Sequence, residues 1–276
     1  FFKQKTAYEM LRSLVGSEMC IRDRGSGLSL SLARLFHKNG MSISLVARNI
    51  NKLDNVKKEL EANVFKCDVS SSIDVENLFS KLDDINEEPD LVIYNPSSRV
   101  RGPIEELDID NTRHALNITS FGAFLVAQQS VKRMKKKGSG SIFFTGASAS
   151  TKGFPNSSVF AMGKFALRGL AQSLARELHP QNIHIGHFII DGSIVSKNRP
   201  YEKDDDKLCP DEIAKRYLEF YNQKRSVWSW ELEIRPWLEK FWVLSIKILK
   251  VLHVSVLIKG LLLAPRMYHL PYTSNG

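Results

Sequence analysis

From residue 25 onward the chain alternates short apolar runs with longer stretches whose apolar positions recur every three to four residues. SLSLARLFHKNG predicts a helix closing at Gly40, MSISLVAR a β-rich run, and NINKLDNVKKELE a polar-faced helix. The series continues through the short run NVFKCDV, the helix SIDVENLFSKLDDI, the run LVIYN and a helical stretch from about Thr112 to Lys136. SIFFTGA (141–147), a helix from about Ser157 to Leu178, IHIGHFII (183–190) and a helix from about Pro210 to Gln223 complete it. Apolar runs without regular alternation suit strands buried on both faces, so the pattern predicts a single α/β domain with a parallel, doubly wound sheet. Such a sheet binds ligands beyond the carboxyl ends of its strands, and the chemistry is expected just after each apolar run.

The two ends break this pattern. FFKQKTAYEMLRSLVGSEMCIRDR, residues 1–24, shows neither period and no signal-peptide run. It resembles the translated adapter string found at the ends of reading frames assembled from environmental sequence, and reads as foreign to the domain at 25–240. The native first strand is then expected to be missing, with Ser17 to Ile21 a poor replacement and the chain less stable for it. The segment 241–276 is apolar and basic. Lys247, Lys250, Lys259 and His253 interrupt its run from Phe241 to Leu263. A lysine near a bilayer centre costs about 2.5–3.5 kcal/mol against about 0.3–0.6 gained per large apolar residue, so a membrane span is not expected. An amphipathic or packing helix and read-through sequence remain as readings.

Charge and cysteine content narrow the function. Of the net +9, residues 1–24 hold +2 and 241–276 hold +4, which leaves +3 on the domain and no phosphate-tracking surface. Nucleic acid is not an expected partner; a small-molecule substrate is. Cys20, Cys67 and Cys209 lack paired spacing, so neither a metal site nor a disulfide framework is predicted, and a cytoplasmic setting is expected.

Gly25 and Gly27 form a glycine turn before the first helix, suited to backbone approach by a pyrophosphate or simply to a turn. Arg48 stands at a strand end, where it suits an anion or plain solvent. Asp68 could equally be a helix cap, and Asn95 a turn residue. Asn117 occupies a helix interior, where asparagine is a poor choice without a task. Phe160 and Lys164, four residues apart, share a helix face.

From about Gly25 to Asn198 these features resemble the short-chain dehydrogenase/reductase family, with its Rossmann-like fold. Gly27 matches the second glycine of TGxxxGxG, while Asp23 and Ser29 stand at the first and third. The resemblance implies a dinucleotide cofactor held by Gly25, Gly27, Arg48, Asp68, Val69, Asn95, Lys164, Gly192, Ile194 and Ser196. Arg48 implies NADP rather than NAD. Asp68-Val69 match the adenine-contacting pair, Asn95 the NNAG motif, and Asp191-Gly192-Ser193-Ile194-Val195-Ser196 the PGxxxT turn around the nicotinamide carboxamide. Asn117 matches the residue that carries a proton-relay water, and Lys164 the catalytic lysine. The family's serine and tyrosine are replaced by Ala147 and Phe160. Losing a positioned general acid costs about 10²–10⁴ in rate, so the family's usual carbonyl reduction is not expected. An NADP(H)-dependent oxidoreductase with protonation by water or a serine is the first expectation, with Ser148, Ser150, Tyr94, Ser157 and Ser158 as candidate hydroxyls. A catalytically inactive dinucleotide sensor or scaffold is the alternative.

RSVWSWELEIRPWLEKF (225–241) resembles the C-terminal signature of a divergent subgroup that also carries phenylalanine at this position, with Trp228, Trp230 and Trp237 expected in a lid or subunit interface. Family members usually pair through helices corresponding to 112–136 and 157–178, so a homo-oligomer is expected.

Overall fold

The computed structural model describes residues 14–17, 27–85, 88–196 and 198–238, the first four by backbone alone. The chain divides into a unit of Phe1–Trp237, which holds the fold below, and a unit of Leu238–Gly276, of which only Leu238 is described. The tail reading for 241–276 and the site residue Gly25 therefore lie outside the described residues.

Among the described residues, seven strands form one parallel sheet: β1 Leu14–Ser17, β2 Ile43–Ala47, β3 Asn63–Lys66, β4 Leu91–Tyr94, β5 Gly140–Thr145, β6 Ile183–Ile190 and β7 Glu231–Ile234. Their order is β3-β2-β1-β4-β5-β6-β7, reversing direction of growth at β1. The helices are α1 Leu28–Lys38, α2 Asp54–Leu60, α3 Ser72–Asp84, α4 Ile109–Leu116, α5 Gly122–Lys137, α6 Ser158–Leu178 and α7 Pro210–Tyr221. Their chain positions between parallel strands give the expected doubly wound α/β architecture.

The strands β2, β4 and β6 are buried throughout because both sheet faces are covered. On one face Val75, Phe79 and Leu82 of α3 pack with Val126 of α5 and Leu167 of α6. On the other, Leu32 and Phe36 of α1 pack with Ile213, Tyr217 and Phe220 of α7. Local chemistry sets several boundaries. Ser71 caps α3 by accepting from Asp74 N at 3.2 Å, and Asp108 caps α4 by accepting from Asn111 N at 2.7 Å. Gly138 ends α5 at φ +80°, the left-handed conformation that costs glycine little.

Three features differ from the sequence reading. The central strand is Leu14–Ser17, not Ser17 to Ile21; Leu14 pairs with Ile43 of β2 and Leu91 of β4. The helix expected over 112–136 starts at Ile109 and is interrupted by a π-turn at Asn117–Phe121. β7 was not anticipated, because ELEI is only half-buried at the sheet edge and lacks an apolar run.

Candidate cofactor and substrate site

Because all strands run parallel, the carboxyl ends of β2 to β6 share one edge, and the sequence-predicted residues gather there. Gly27 precedes α1 with extended backbone, and nothing among the described residues lies within 4 Å of where its Cβ would stand. The first turn of α1 contains no acid. Ser29, in that turn, accepts from Asn95 Nδ2 at 2.7 Å, which joins the loop after β4 to the start of α1. Arg48 directly follows β2. Asp68 and Val69 follow β3; the Asp68 carboxylate accepts from Ser70 N at 3.0 Å and Ser70 Oγ at 2.7 Å. Burial pushes that carboxyl up, but the Ser70 bonds and the charges of Arg48 and His114 outweigh it, and its pKa falls below the usual value.

Asn117 opens the π-turn. The Tyr94 hydroxyl donates to Ile118 O inside that turn, and Gly122 is needed beside it: a Cβ there would stand 2.6 Å from the Tyr94 hydroxyl and 2.7 Å from Val69 O. A π-turn leaves backbone groups out of the regular ladder, and such turns are frequent at functional sites.

At the end of β5 the sequence-predicted pair is together. Lys164, 2% exposed, donates to Thr145 O at 2.6 Å, and its Nζ lies 5.9 Å from the Phe160 ring centre. Phe160 packs with Ala147 and Ala149 in a small apolar cluster of its own. The guanidinium carbon of Arg99, from the loop after β4, lies 3.9 Å from the centre of the Phe160 ring.

Behind this loop runs a partly buried polar chain that the sequence did not reveal. Glu231 accepts from Arg168 Nε and Nη2 at 2.7 and 2.8 Å and faces His187 Nδ1 at 2.9 Å. A carboxylate can only accept, so Nδ1 carries the proton and Nε2 accepts from Ser150 Oγ at 3.4 Å. Ser150 in turn accepts from Ala147 N at 3.1 Å. Burial drives His187 down to about 4, the Glu231 bond opposing it. Among the candidate hydroxyls, Ser150 and Tyr94 are thus buried and engaged. Ser148 bonds Asp191, a carboxylate that burial pushes up but Ser148, Lys152 and Arg235 hold below its usual value. Ser157 and Ser158 stand at the start of α6.

After β6, Gly192 packs so closely that a Cβ would meet Pro236 at 2.6 Å. Ile194 bridges to Leu208, and Ser196 is 7% exposed with its hydroxyl unpaired. Trp228 stacks on His184, ring centres 4.4 Å apart, and Trp230 lies against Arg168, so both pack within this chain; Trp237 is exposed. His184 is driven down to about 4 by burial. Arg99, His187 and Glu231 were not read from sequence. Arg99 carried a positional signal, four residues past Asn95 in a strand-end loop, whereas the other two carried none.

No group of three or more His, Cys, Asp or Glu side chains suited to a metal occurs among the described residues, and no helix among them is long and apolar enough to cross a membrane.

Comparison with known proteins places this arrangement. The chain is 27% identical over 182 residues to a 3-dehydrosphinganine reductase of Danio rerio, covering 62% of this chain and 55% of that protein. It is 28% identical over 183 residues to a 3-ketodihydrosphingosine reductase of Mus musculus, covering 63% and 55%. The chain therefore spans about half the length of these curated relatives. A solved short-chain dehydrogenase from Rhodopseudomonas palustris superposes with a TM-score of 0.68 at 30% identity, covering 82% of this chain and 99% of that one. A metagenomic short-chain oxidoreductase in complex with NADP shares the fold, with a TM-score of 0.70 at 18% identity over 83% of this chain and 98% of that one. The short chain dehydrogenase family model matches residues 19–201, and with the strand-end site described above this chain belongs to that family.

Proposed function

We propose that the domain binds NADP(H), and NAD(H) less well, and transfers hydride to or from a small carbonyl or alcohol substrate with water or a serine as the proton donor. The observation that carries this reading is Lys164. The chain buries this ammonium, 2% exposed, at the end of β5 beside Phe160, where it stands at the family's lysine position on the ligand edge of the sheet. Its three donors suit the hydroxyls of a ribose as well as Thr145 O.

The remaining residues fit a dinucleotide. The open backbone at Gly27 and the acid-free first turn of α1 suit a pyrophosphate. The unpaired buried hydroxyl of Ser196 suits a carboxamide, since an orphaned buried hydroxyl costs about 1–3 kcal/mol until it is satisfied. Arg48 offers a forked cation to a 2′-phosphate. A bound nicotinamide dinucleotide supplies the hydride, and the chain's own contribution is placement. Lys164 and Asn117 orient cofactor and substrate, Gly192, Ile194 and Ser196 form the nicotinamide turn, and Asp68, Val69 and Asn95 the adenosine side. Ser150 and Tyr94 are too deeply engaged to donate a proton and Ser148 is held by Asp191, which leaves water or the serines at the start of α6.

The Ala147, Ala149 and Phe160 cluster favours a second reading, a dinucleotide sensor without turnover, because it is apolar where the family places its two hydroxyls. Titration with NADPH and NADH by fluorescence, with reduction of a carbonyl panel, separates the two. The oxidoreductase reading expects NADPH to bind more tightly than NADH, Arg48→Glu to weaken NADPH, and the unaltered chain to turn over. Turnover that appears only in Phe160→Tyr would favour the sensor; no binding of either nucleotide would refute both. We further propose that the chain pairs with a second copy through α5 and α6, where Phe124 of α5, Met162 and Phe165 of α6, and Phe121 at the end of the π-turn are exposed apolar side chains.

A further inference from the structure

The turn at 191–196 opens on Asp191, where the family's PGxxxT turn has proline. Its backbone N–H donates to Ile234 O at the end of β7, 2.8 Å away, a bond that proline has no hydrogen to make. Its carboxylate, 4% exposed, accepts from Lys152 Nζ at 3.0 Å and from the Ser148 hydroxyl, both in the loop after β5, and lies 3.7 Å from Arg235, just past β7. Asp191 thereby joins segments that leave three adjacent strands, β5, β6 and β7. Pro236 closes against the next residue, where a Cβ on Gly192 would meet it at 2.6 Å. Farther along, backbone holds the turn: Val195 N donates to Leu208 O and Leu208 N to Ser193 O, each at 2.9 Å.

We infer that Asp191 is a positioning residue for the nicotinamide: with Lys152 and Ser148 it clamps the turn that holds the ring against the loop that carries Ala147 and Ala149. This rests on the proposed reading of 191–196 as the nicotinamide turn. The β5–β6 ladder runs to the pair Thr145 and Phe188, and Gly146 N still donates to Phe188 O at 2.7 Å. Past that point the Asp191 contacts continue the connection between the two loops. Hydride transfer needs the ring and the reacting carbon in close register, and a misplacement of about 1 Å costs about a hundredfold in rate. Shielded from water, the attraction between the Asp191 carboxylate and the Lys152 ammonium is less screened than that of the exposed pairs on α4 and α7. Asp191 acts through the turn and the loop, and takes no part in moving hydride or proton.

The test separates the nicotinamide from the rest of the cofactor. NADPH and 2′-phospho-ADP-ribose, which lacks the nicotinamide, are each titrated calorimetrically into the full chain and into its Asp191→Asn, Lys152→Met and Lys152→Arg variants. Arg113→Ala, which removes an exposed arginine paired with Asp110 on α4, serves as the control and should leave both affinities unchanged. Asp191→Asn is expected to weaken NADPH about tenfold and to leave 2′-phospho-ADP-ribose unchanged. Lys152→Met acts in the same way and carries the test if Asp191→Asn does not fold, while Lys152→Arg, which keeps the cation, retains most of the affinity. Combining Asp191→Asn with Lys152→Met costs less than the two losses multiplied, because both break one contact. NADPH affinity that survives both Asp191→Asn and Lys152→Met, or a loss shared equally by 2′-phospho-ADP-ribose, overturns the inference and leaves the proposed function standing. Failure of the unaltered chain to bind either ligand refutes the proposed function and this inference with it.

Discussion

His187 couples the stability of this fold to pH in a way that can be worked out from its surroundings. It is fully buried between Glu231 and Ser150, and burial lowers its pKa from 6.5 to about 4, with Glu231 pulling it back up and the Lys164 and Arg168 charges adding to the fall. The folded chain thus binds fewer protons than the unfolded chain between pH 4 and 6.5, so stability rises with pH across that window. The contribution is fully present above about pH 6.5 and is lost as pH falls toward 4. Between pH 7.5 and 4.5 it amounts to about 2.5 kcal/mol, an order-of-magnitude figure from the shift in protonation equilibrium. Urea unfolding of the unaltered chain and of His187→Gln at several pH values in this range isolates it, because the carboxylates that also titrate there are common to both. The unaltered chain should lose about 2.5 kcal/mol more on acidification than the variant. Parallel loss in the two proteins would refute the argument that His187 is held neutral by burial.

Further outcomes follow from other contacts. Gly122→Ala forces a Cβ to within 2.6 Å of the Tyr94 hydroxyl and 2.7 Å of Val69 O, and should lower stability by about 1–3 kcal/mol in urea unfolding; an unchanged midpoint would mean that the π-turn accommodates a side chain. Lys164→Met removes the buried ammonium at nearly constant length, and NADPH affinity should fall about tenfold; intact affinity in the variant would refute the role given to that ammonium. Phe165→Glu places a charge in the exposed apolar neighbourhood of α5 and α6 and should shift sedimentation from dimer to monomer, whereas a monomer before the change would contradict pairing.

The strand and helix windows were legible because burial on both sheet faces writes continuous apolar runs such as LVIY and SIFF, while the helices carry a period near 3.6. The parallel, doubly wound arrangement follows from that alternation, since each crossover must cover a face. The strand-end location of Arg48, Asp68, Asn95 and Ser196 follows in turn. Even the replaced pair was readable, because the four-residue step from Phe160 to Lys164 fixes the register on α6 and Ala147 stands thirteen residues before Phe160, just past β5.

Other features depended on contacts between residues far apart in the chain. β7 is stabilised by pairing with β6 and by Glu231 reaching Arg168 and His187, 63 and 44 residues away, and the short polar run itself gives no strand signal. Leu14–Ser17 acquires strand structure by fitting between β2 and β4, which supply its hydrogen bonds on both sides. The contact of Arg99 with Phe160, 61 positions later, exists only because β4 and β5 are neighbours and their loops meet. Local sequence sets which elements form through backbone preference and apolar period. Which side chains face one another at the strand ends is set by sheet order and packing, and those are properties of the whole fold.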